Sequence, residues 1–104
     1  MAQIRNYEVK VNPGDKVAIP NGRAVTVMIT PGSDSSRPRK TSRVEALIDD
    51  VLVGSVAVVD DDTHESLSPQ TLTVFVPRSA DNATLRFSGQ KPGKVTITEI
   101  PLDD

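Results

Sequence analysis

Between residues 71 and 102, apolar side chains alternate with threonine or charged side chains in three short runs. The runs cover 71–76, 83–87 and 94–100, and clusters of Pro, Gly, Ser and Asn separate them. An alternation of period two places one set of side chains on one face of a pleated strand, and the clusters force the chain to reverse. This stretch therefore predicts an antiparallel β-meander.

The rest of the chain favours the same fold class. Valine and isoleucine far outnumber leucine, threonine is abundant, and no segment has apolar residues at the i, i+3, i+4 spacing of an amphipathic helix. We count seven to eight strands in a single domain, 1–104, which is typical of an all-β antiparallel β-sandwich, either jelly-roll-like or immunoglobulin-like. The absence of cysteine and tryptophan excludes a true antibody-type domain.

Two turn signals divide the first thirty residues. The sequence Asn12-Pro13-Gly14-Asp15 predicts a turn after a first strand. Asn21-Gly22 is the strongest hairpin signal in the chain, because both residue types tolerate the positive φ angles of a type I′ turn. We therefore expect a hairpin between a short strand at 17–19 and the strand at 24–29.

The most apolar segment, 44–59, has two interpretations. One is a hairpin that turns at Asp49-Asp50, and the other is a longer strand bent by a bulge near Gly54. A helix from 43 to 49 is a third, less favoured possibility.

Residues 30–42 are rich in Ser, Gly, Pro and Arg and predict a flexible basic loop. The candidate partner-binding residues are four cations in and beside this loop: Arg37, Arg39, Lys40 and Arg43. They could form an arm that docks on an acidic protein surface, or a solvated loop that blocks edge-to-edge aggregation. No aromatic residue is interleaved with them, so they offer no stacking platform for single-stranded nucleic acid.

The segment 60–66 is acidic and contains the weak metal candidates Asp60, Asp62 and Glu65. Consecutive acidic side chains diverge, and the segment lacks the ligand spacing of a calcium loop, so a solvated turn is favoured and we predict no metal and no cofactor. His64 is the only histidine, and no nucleophile–base or paired-carboxylate arrangement can be nominated. The sequence therefore predicts a protein that is not an enzyme.

The overall balance of charge excludes two classes of partner. A net charge of −2 predicts no attraction to nucleic acid or to an anionic membrane, and no apolar run approaches membrane-spanning length. The first residues lack the apolar region of a signal peptide, so we expect synthesis in a cytoplasm. The glycosylation triplet at Asn82 is then better explained as part of a turn.

The closing segments TLTVFVP, ATLRFSG and GKVTITEIPL resemble the last strands of jelly-roll domains. In this arrangement the chain is similar to small cement or decoration proteins of tailed-phage capsids and to carbohydrate-binding modules of the galactose-binding-like type. The first resemblance implies a structural protein of the virion that binds capsid subunits, and the alternative implies glycan binding. Carbohydrate sites commonly use exposed aromatic rings, whereas Tyr7, Phe75 and Phe87 all occupy strand positions that can point into a core.

A small, cysteine-free sandwich has little stability in reserve, and its sheets have edges to protect. The basic block 37–43 and the acidic block 60–65 could steer a head-to-tail contact between identical subunits. We therefore expect a cyclic homo-oligomer, with a trimer favoured, in which apolar strand faces supply most of the binding energy.

Overall fold

The computed structural model describes residues 3–30, 40–60, 69–89 and 92–102, and within them every regular element is a β-strand. The prediction of an all-β protein is confirmed. The described residues form eight strands: β1 (Arg5–Val9), β2 (Lys16–Ala18), β3 (Arg23–Ile29), β4 (Lys40–Ile48), β5 (Val51–Asp60), β6 (Gln70–Val76), β7 (Ala83–Gly89) and β8 (Val95–Pro101).

The strands form two four-stranded antiparallel sheets with the orders β1-β8-β3-β6 and β2-β7-β4-β5. The first strand pairs with the last, the second with the seventh, the third with the sixth and the fourth with the fifth. This nesting is that of one long hairpin wrapped around itself, the jelly-roll arrangement of a β-sandwich. Of the two sandwich types considered, the strand order is the jelly-roll one.

The expected meander at 71–102 is wrong. β6 and β8 lie in one sheet, while β7 lies in the other between β2 and β4. Alternation and turn residues report where strands begin and end, but a polar connection of about six residues serves equally well to cross between sheets as to make a hairpin.

The expected hairpin at Asn21-Gly22 is also wrong, because β2 and β3 belong to opposite sheets. Gly22 has a φ of 71°, but Asn21 does not share the positive φ that a type I′ turn requires. The Asn21 amide instead donates to the carbonyl of Ala80, and the Gly22 N–H donates to the carbonyl of Val76 at 2.8 Å. The pair directs the chain from one sheet to the other.

The hairpin interpretation of 44–59 is confirmed. Asp49 and Asp50 form a two-residue turn with φ angles of 51° and 66°, as a type I′ turn requires. Asp49 Oδ1 also accepts hydrogen bonds from the backbone N–H groups of Asp81 and Asn82, at 2.8 and 2.9 Å. The helix considered for 43–49 does not form.

A β-bulge lies close to this turn, near Gly54 as the competing interpretation supposed. The register passes from Ala46↔Gly54 to Leu47↔Leu52, which leaves Val53 without a partner on β4. A Cβ at Gly54 would lie 2.9 Å from Cδ1 of Leu72, so the glycine also lets β5 approach the half-buried Leu72 of β6.

The loop predicted at 30–42 is shorter than expected. Lys40 already belongs to β4, and Thr30 continues the β3–β8 ladder, since its N–H donates to the Lys94 carbonyl at 3.0 Å. β4 begins early because residues 40–42 pair with 58–60 of β5, and this backbone pairing overrides their polar composition. Residues 31–39 lie outside the described part of the chain.

The core lies between the two sheets and is built mainly from β-branched side chains. On β3, Val25, Val27 and Ile29 point inward, and on β7, Leu85 and Phe87 do so; all five are almost fully buried. The alternation predicted from the sequence therefore fixes the face that each of these strands presents to its neighbour sheet.

Candidate functional site

Of the four predicted partner-binding cations, the structure describes two, and both lie on β4. Arg37 and Arg39 lie outside the described residues, and Lys40 opens β4. Arg43 is exposed on the outer face of β4, in register with Ala57 on one side and Ser88 on the other. Arg43 thus projects from a strand in the middle of a sheet rather than from a loop.

Of the three weak metal candidates, the structure describes only Asp60. Asp60 ends β5, whereas Asp62 and Glu65 lie beyond the part of the chain that the structure describes. Within the described ranges, no three His, Asp or Glu side chains are grouped so that they could hold a metal ion.

In the described part of the chain, the basic and acidic blocks meet at one register pair. Lys40 and Asp60 are register partners at the end of the β4–β5 ladder that lies away from the Asp49-Asp50 turn. The described part of the basic block, 40–43, thus opens β4, and the described part of the acidic block, Asp60, ends β5.

An exposed apolar row crosses the outer face of the sheet β1-β8-β3-β6. Ala24 of β3 is in register with Phe75 of β6 on one side and with Ile100 of β8 on the other. Phe75 is 66% exposed and Ile100 is 44% exposed. We call Ile100, Ala24 and Phe75 the apolar row; continuing the β1–β8 register by one residue would place the exposed Ile4 beside Ile100.

The row of residues next to the apolar row is polar but uncharged. On the same face of the same three strands, Thr26 of β3 is in register with Thr73 of β6 on one side and with Thr98 of β8 on the other. The hydroxyl oxygens of Thr26 and Thr73 lie 2.9 Å apart. Single exposed apolar residues are common on protein surfaces, but large ones aligned across neighbouring strands mark interaction sites. The apolar row is therefore the candidate functional site.

The expectation that Phe75 points into the core is wrong, although the sequence carried a signal. Leu72, Val74 and Val76 occupy the inward positions of β6, and Phe75 falls between them, out of phase. Its size and hydrophobicity favoured the interior, whereas its place in the alternation predicts the surface.

The four edge strands fall into two classes. β1 and β2 form one side of the sandwich and carry Arg5, Glu8 and Lys16, whereas β6 and residues 51–59 of β5 contain no charged residue and no proline. Val51, Leu52 and Val53 of β5 are all about half exposed or more. Charges and prolines on edge strands prevent unwanted pairing, so the β5–β6 side of the sandwich lacks this protection.

A buried carboxylate joins the first and last strands. Glu99 is 1% exposed; its Oε2 accepts a 2.5 Å hydrogen bond from the Tyr7 hydroxyl, and its Oε1 lies 3.6 Å from Nη1 of Arg5. The pKa of Tyr7 is raised to about 12, first by burial and then by the hydrogen bond to Glu99 and the charge of that carboxylate, while the nearby Arg5 acts in the opposite direction. The Arg5 guanidinium also lies 5.1 Å from the centre of the Tyr7 ring.

This group explains how an edge strand is held rather than how a reaction is performed. A tyrosine whose pKa is raised remains a proton donor to the carboxylate at neutral pH, which does not activate it as a base or nucleophile. Sequence reasoning missed Glu99, although it continues the inward alternation of Val95 and Ile97 along β8.

One surface cavity of about 200 Å³ lies beside β1, at the end away from Glu99. Its lining includes Glu8, Lys10, Val11 and Pro92. These side chains supply no nucleophile with an adjacent base, so the cavity suggests no reaction.

Comparison with known protein families and with characterised proteins finds no significant match for this chain. The described residues contain no helix long and apolar enough to cross a lipid bilayer.

Proposed function

We propose that this chain is a non-enzymatic structural protein that binds other protein subunits, as the cement and decoration proteins of tailed-phage capsids do. The observation that carries the proposal is the apolar row of Ile100, Ala24 and Phe75 on the outer face of one sheet. The jelly-roll strand order and the resemblance of the closing strands support the comparison with capsid proteins.

The apolar row has the properties of an anchor for a protein partner. Directly opposed residues on neighbouring strands have Cβ atoms about 4.5–5.5 Å apart, so the three side chains form one continuous strip. Complete burial of a Phe or Ile side chain contributes about 1.5–3 kcal/mol. Phe75 and Ile100 retain much of their surface in the free protein, so a partner that covers them gains a large part of this energy.

The chemistry of this face also indicates which partner fits. Ala24, Thr26, Thr73 and Thr98 present no charge, and the net charge of the chain is −2. A polyanion therefore finds neither an attractive field nor a cationic contact on these residues. An apolar patch on a capsid subunit, bordered by groups that hydrogen-bond to threonine, is complementary to them.

A glycan is the second candidate ligand, and the observation that favours it is the exposure of the Phe75 ring. An exposed aromatic ring can stack on the apolar face of a sugar, and the hydroxyls of Thr26 and Thr73 lie in the adjacent row. The neighbours of Phe75 along the apolar row are aliphatic, however, which suits a protein contact better.

The test is binding to empty capsid shells of a tailed phage whose genome encodes this chain. Wild-type protein should co-sediment with the shells and raise their dissociation temperature, because a ligand that binds only the assembled state stabilises it by mass action. Phe75→Ser should weaken binding at least about tenfold, a loss of about 1.4 kcal/mol.

The matched control is Thr71→Ser, a conservative change on the same strand and the same exposed face as Phe75. It should bind as the wild type does. Binding that does not depend on Phe75, or failure of the wild type to bind shells while it binds a glycan array, would overturn the proposal.

A further inference from the structure

We propose that β5 pairs with β5 of a second copy of this chain, antiparallel and across a twofold axis. The two sheets β2-β7-β4-β5 would then join into one continuous eight-stranded sheet. This surface is separate from the apolar row, so the inference goes beyond the proposed function and does not depend on it.

β5 offers a long pairing edge. It is the last strand of its sheet, it spans ten residues, and in the described part of the chain β4 is its one hydrogen-bonded neighbour. The backbone N–H and C=O groups that face away from β4 form a template for another strand. Beyond the bulge at Val53, the β4–β5 ladder is regular from Gly54 to Asp60, so this part of the edge is straight enough to pair.

The edge lacks the features that normally prevent such pairing. Residues 51–59 contain no charge and no proline, whereas the edge strands on the opposite side, β1 and β2, are shorter and carry Arg5, Glu8 and Lys16. The bulge protects only the beginning of β5. The difference between the two sides indicates that the β5 edge is covered in the assembled protein.

A second copy is the occupant that the pattern of charge favours. Antiparallel pairing centred on Ala57 sets the uncharged residues 55–59 against themselves, with each Asp60 opposite the partner's Gly54, so the two Asp60 residues lie on opposite sides of the axis. Parallel pairing would bring the two Asp60 residues together. The outward positions Ser55 and Ala57 are small and leave room for a close approach. A twofold contact of this kind closes after two subunits, since each β5 edge is then used.

The trimer favoured by the sequence requires a different contact, in which block 37–43 of one subunit meets block 60–65 of the next. Lys40 of the first block and Asp60 of the second are register partners within a single chain. Self-pairing of β5 needs no contribution from either block.

The absence of cysteine makes the register directly testable. In an antiparallel pair, opposed Cα atoms lie about 4.5–5.5 Å apart, which is within the range of about 4.4–6.8 Å that a disulfide spans. Ala57→Cys should therefore form a covalent dimer on mild oxidation. Asn6→Cys, an exposed outward position on edge strand β1, is the control and should cross-link at least about tenfold more slowly.

Sedimentation across a concentration series provides the second arm. We expect the wild type to dimerise, Ala57→Lys to raise the dissociation constant at least about tenfold through like-charge repulsion across the axis, and Asn6→Lys to leave it unchanged. A monomer or a trimer at all concentrations, or equal cross-linking at positions 57 and 6, would overturn the inference. Phe75→Ser should keep the dimer, so failure of shell binding and failure of self-pairing can be told apart.

Discussion

The hydroxyl of Tyr7 donates a 2.5 Å hydrogen bond to Oε2 of Glu99, a carboxylate that is 1% exposed. The two residues are 92 positions apart in the sequence and lie on the first and last strands. A buried charge is tolerated only when it is paired and hydrogen-bonded, so this contact and the nearby Arg5 hold β1 at the edge of its sheet. This arrangement makes the stability of the fold dependent on the protonation of one phenol.

Unfolding at alkaline pH should report Tyr7. Its folded-state pKa of about 12 lies above the usual value of 10.0, so the stabilisation from the neutral phenol is fully present below pH 10 and is lost as the pH rises through 12. Urea unfolding should show this decline, and Tyr7→Phe should remove the part of it that is due to the phenol. An identical alkaline decline in Tyr7→Phe would contradict the assignment.

Glu99→Gln should lower the pKa of Tyr7 but leave it above 10. The substitution removes the charge of Glu99 and keeps an oxygen that can accept the hydrogen bond, while burial, the largest cause of the shift, remains. Tyr7 is the only tyrosine and the chain has no tryptophan, so absorbance of the tyrosinate during a pH titration measures this single group. A pKa unchanged from that of the wild type would show that the carboxylate does not act on the phenol.

Gly89→Ala should be more destabilising than Gly14→Ala. Gly89 has a φ of 80°, and a Cβ there would collide with the carbonyl oxygen of Thr41. Gly14 has a φ of 93°, but a Cβ at that position would meet no atom within 4 Å, so Gly14→Ala should show only the backbone cost of about 1–2 kcal/mol. Urea unfolding of the two variants isolates the contribution of the clash, and equal losses would refute it.

Asp49→Ala should cost about 1–3 kcal/mol, because the N–H groups of Asp81 and Asn82 lose their common acceptor. Asp49→Asn should be much milder, since Asn provides an acceptor oxygen and tolerates a positive φ. Asp50→Ala is the control for the backbone, because Asp50 has a similar φ but does not accept these two bonds. Thermal unfolding of the three variants should rank Asp49→Ala as the least stable.

Sequence patterns predicted the elements of this fold better than their partners. The alternation of Val25, Val27 and Ile29 predicted the buried face of β3, and the hairpin at Asp49-Asp50 was one of the two interpretations left open for its segment. The hairpin predicted at Asn21-Gly22 was wrong because a glycine with positive φ serves a crossing between sheets as well as a hairpin. Which strands pair depends on contacts between distant parts of the chain, and local residue patterns contain little information about them.

The candidate site was harder to predict for a related reason. Basic and acidic residues stand out in a sequence, so 37–43 and 60–65 attracted the functional hypotheses. The apolar row depends on the registers that place Phe75 and Ile100 on either side of Ala24, and these become visible only when β6, β3 and β8 are aligned. The phase of Phe75 within β6 was the one local signal that the sequence offered.

Hydroxyl-radical footprinting of the two phenylalanines tests most directly whether a protein partner covers the apolar row. Phe75 is 66% exposed and Phe87 is 2% exposed, so in the free protein Phe75 should be modified readily while Phe87 serves as a protected internal reference. On binding to capsid shells, modification of Phe75 should fall towards the level of Phe87. If Phe75 stays as reactive in the shell-bound protein as in the free protein, the apolar row is not the interface with the shell.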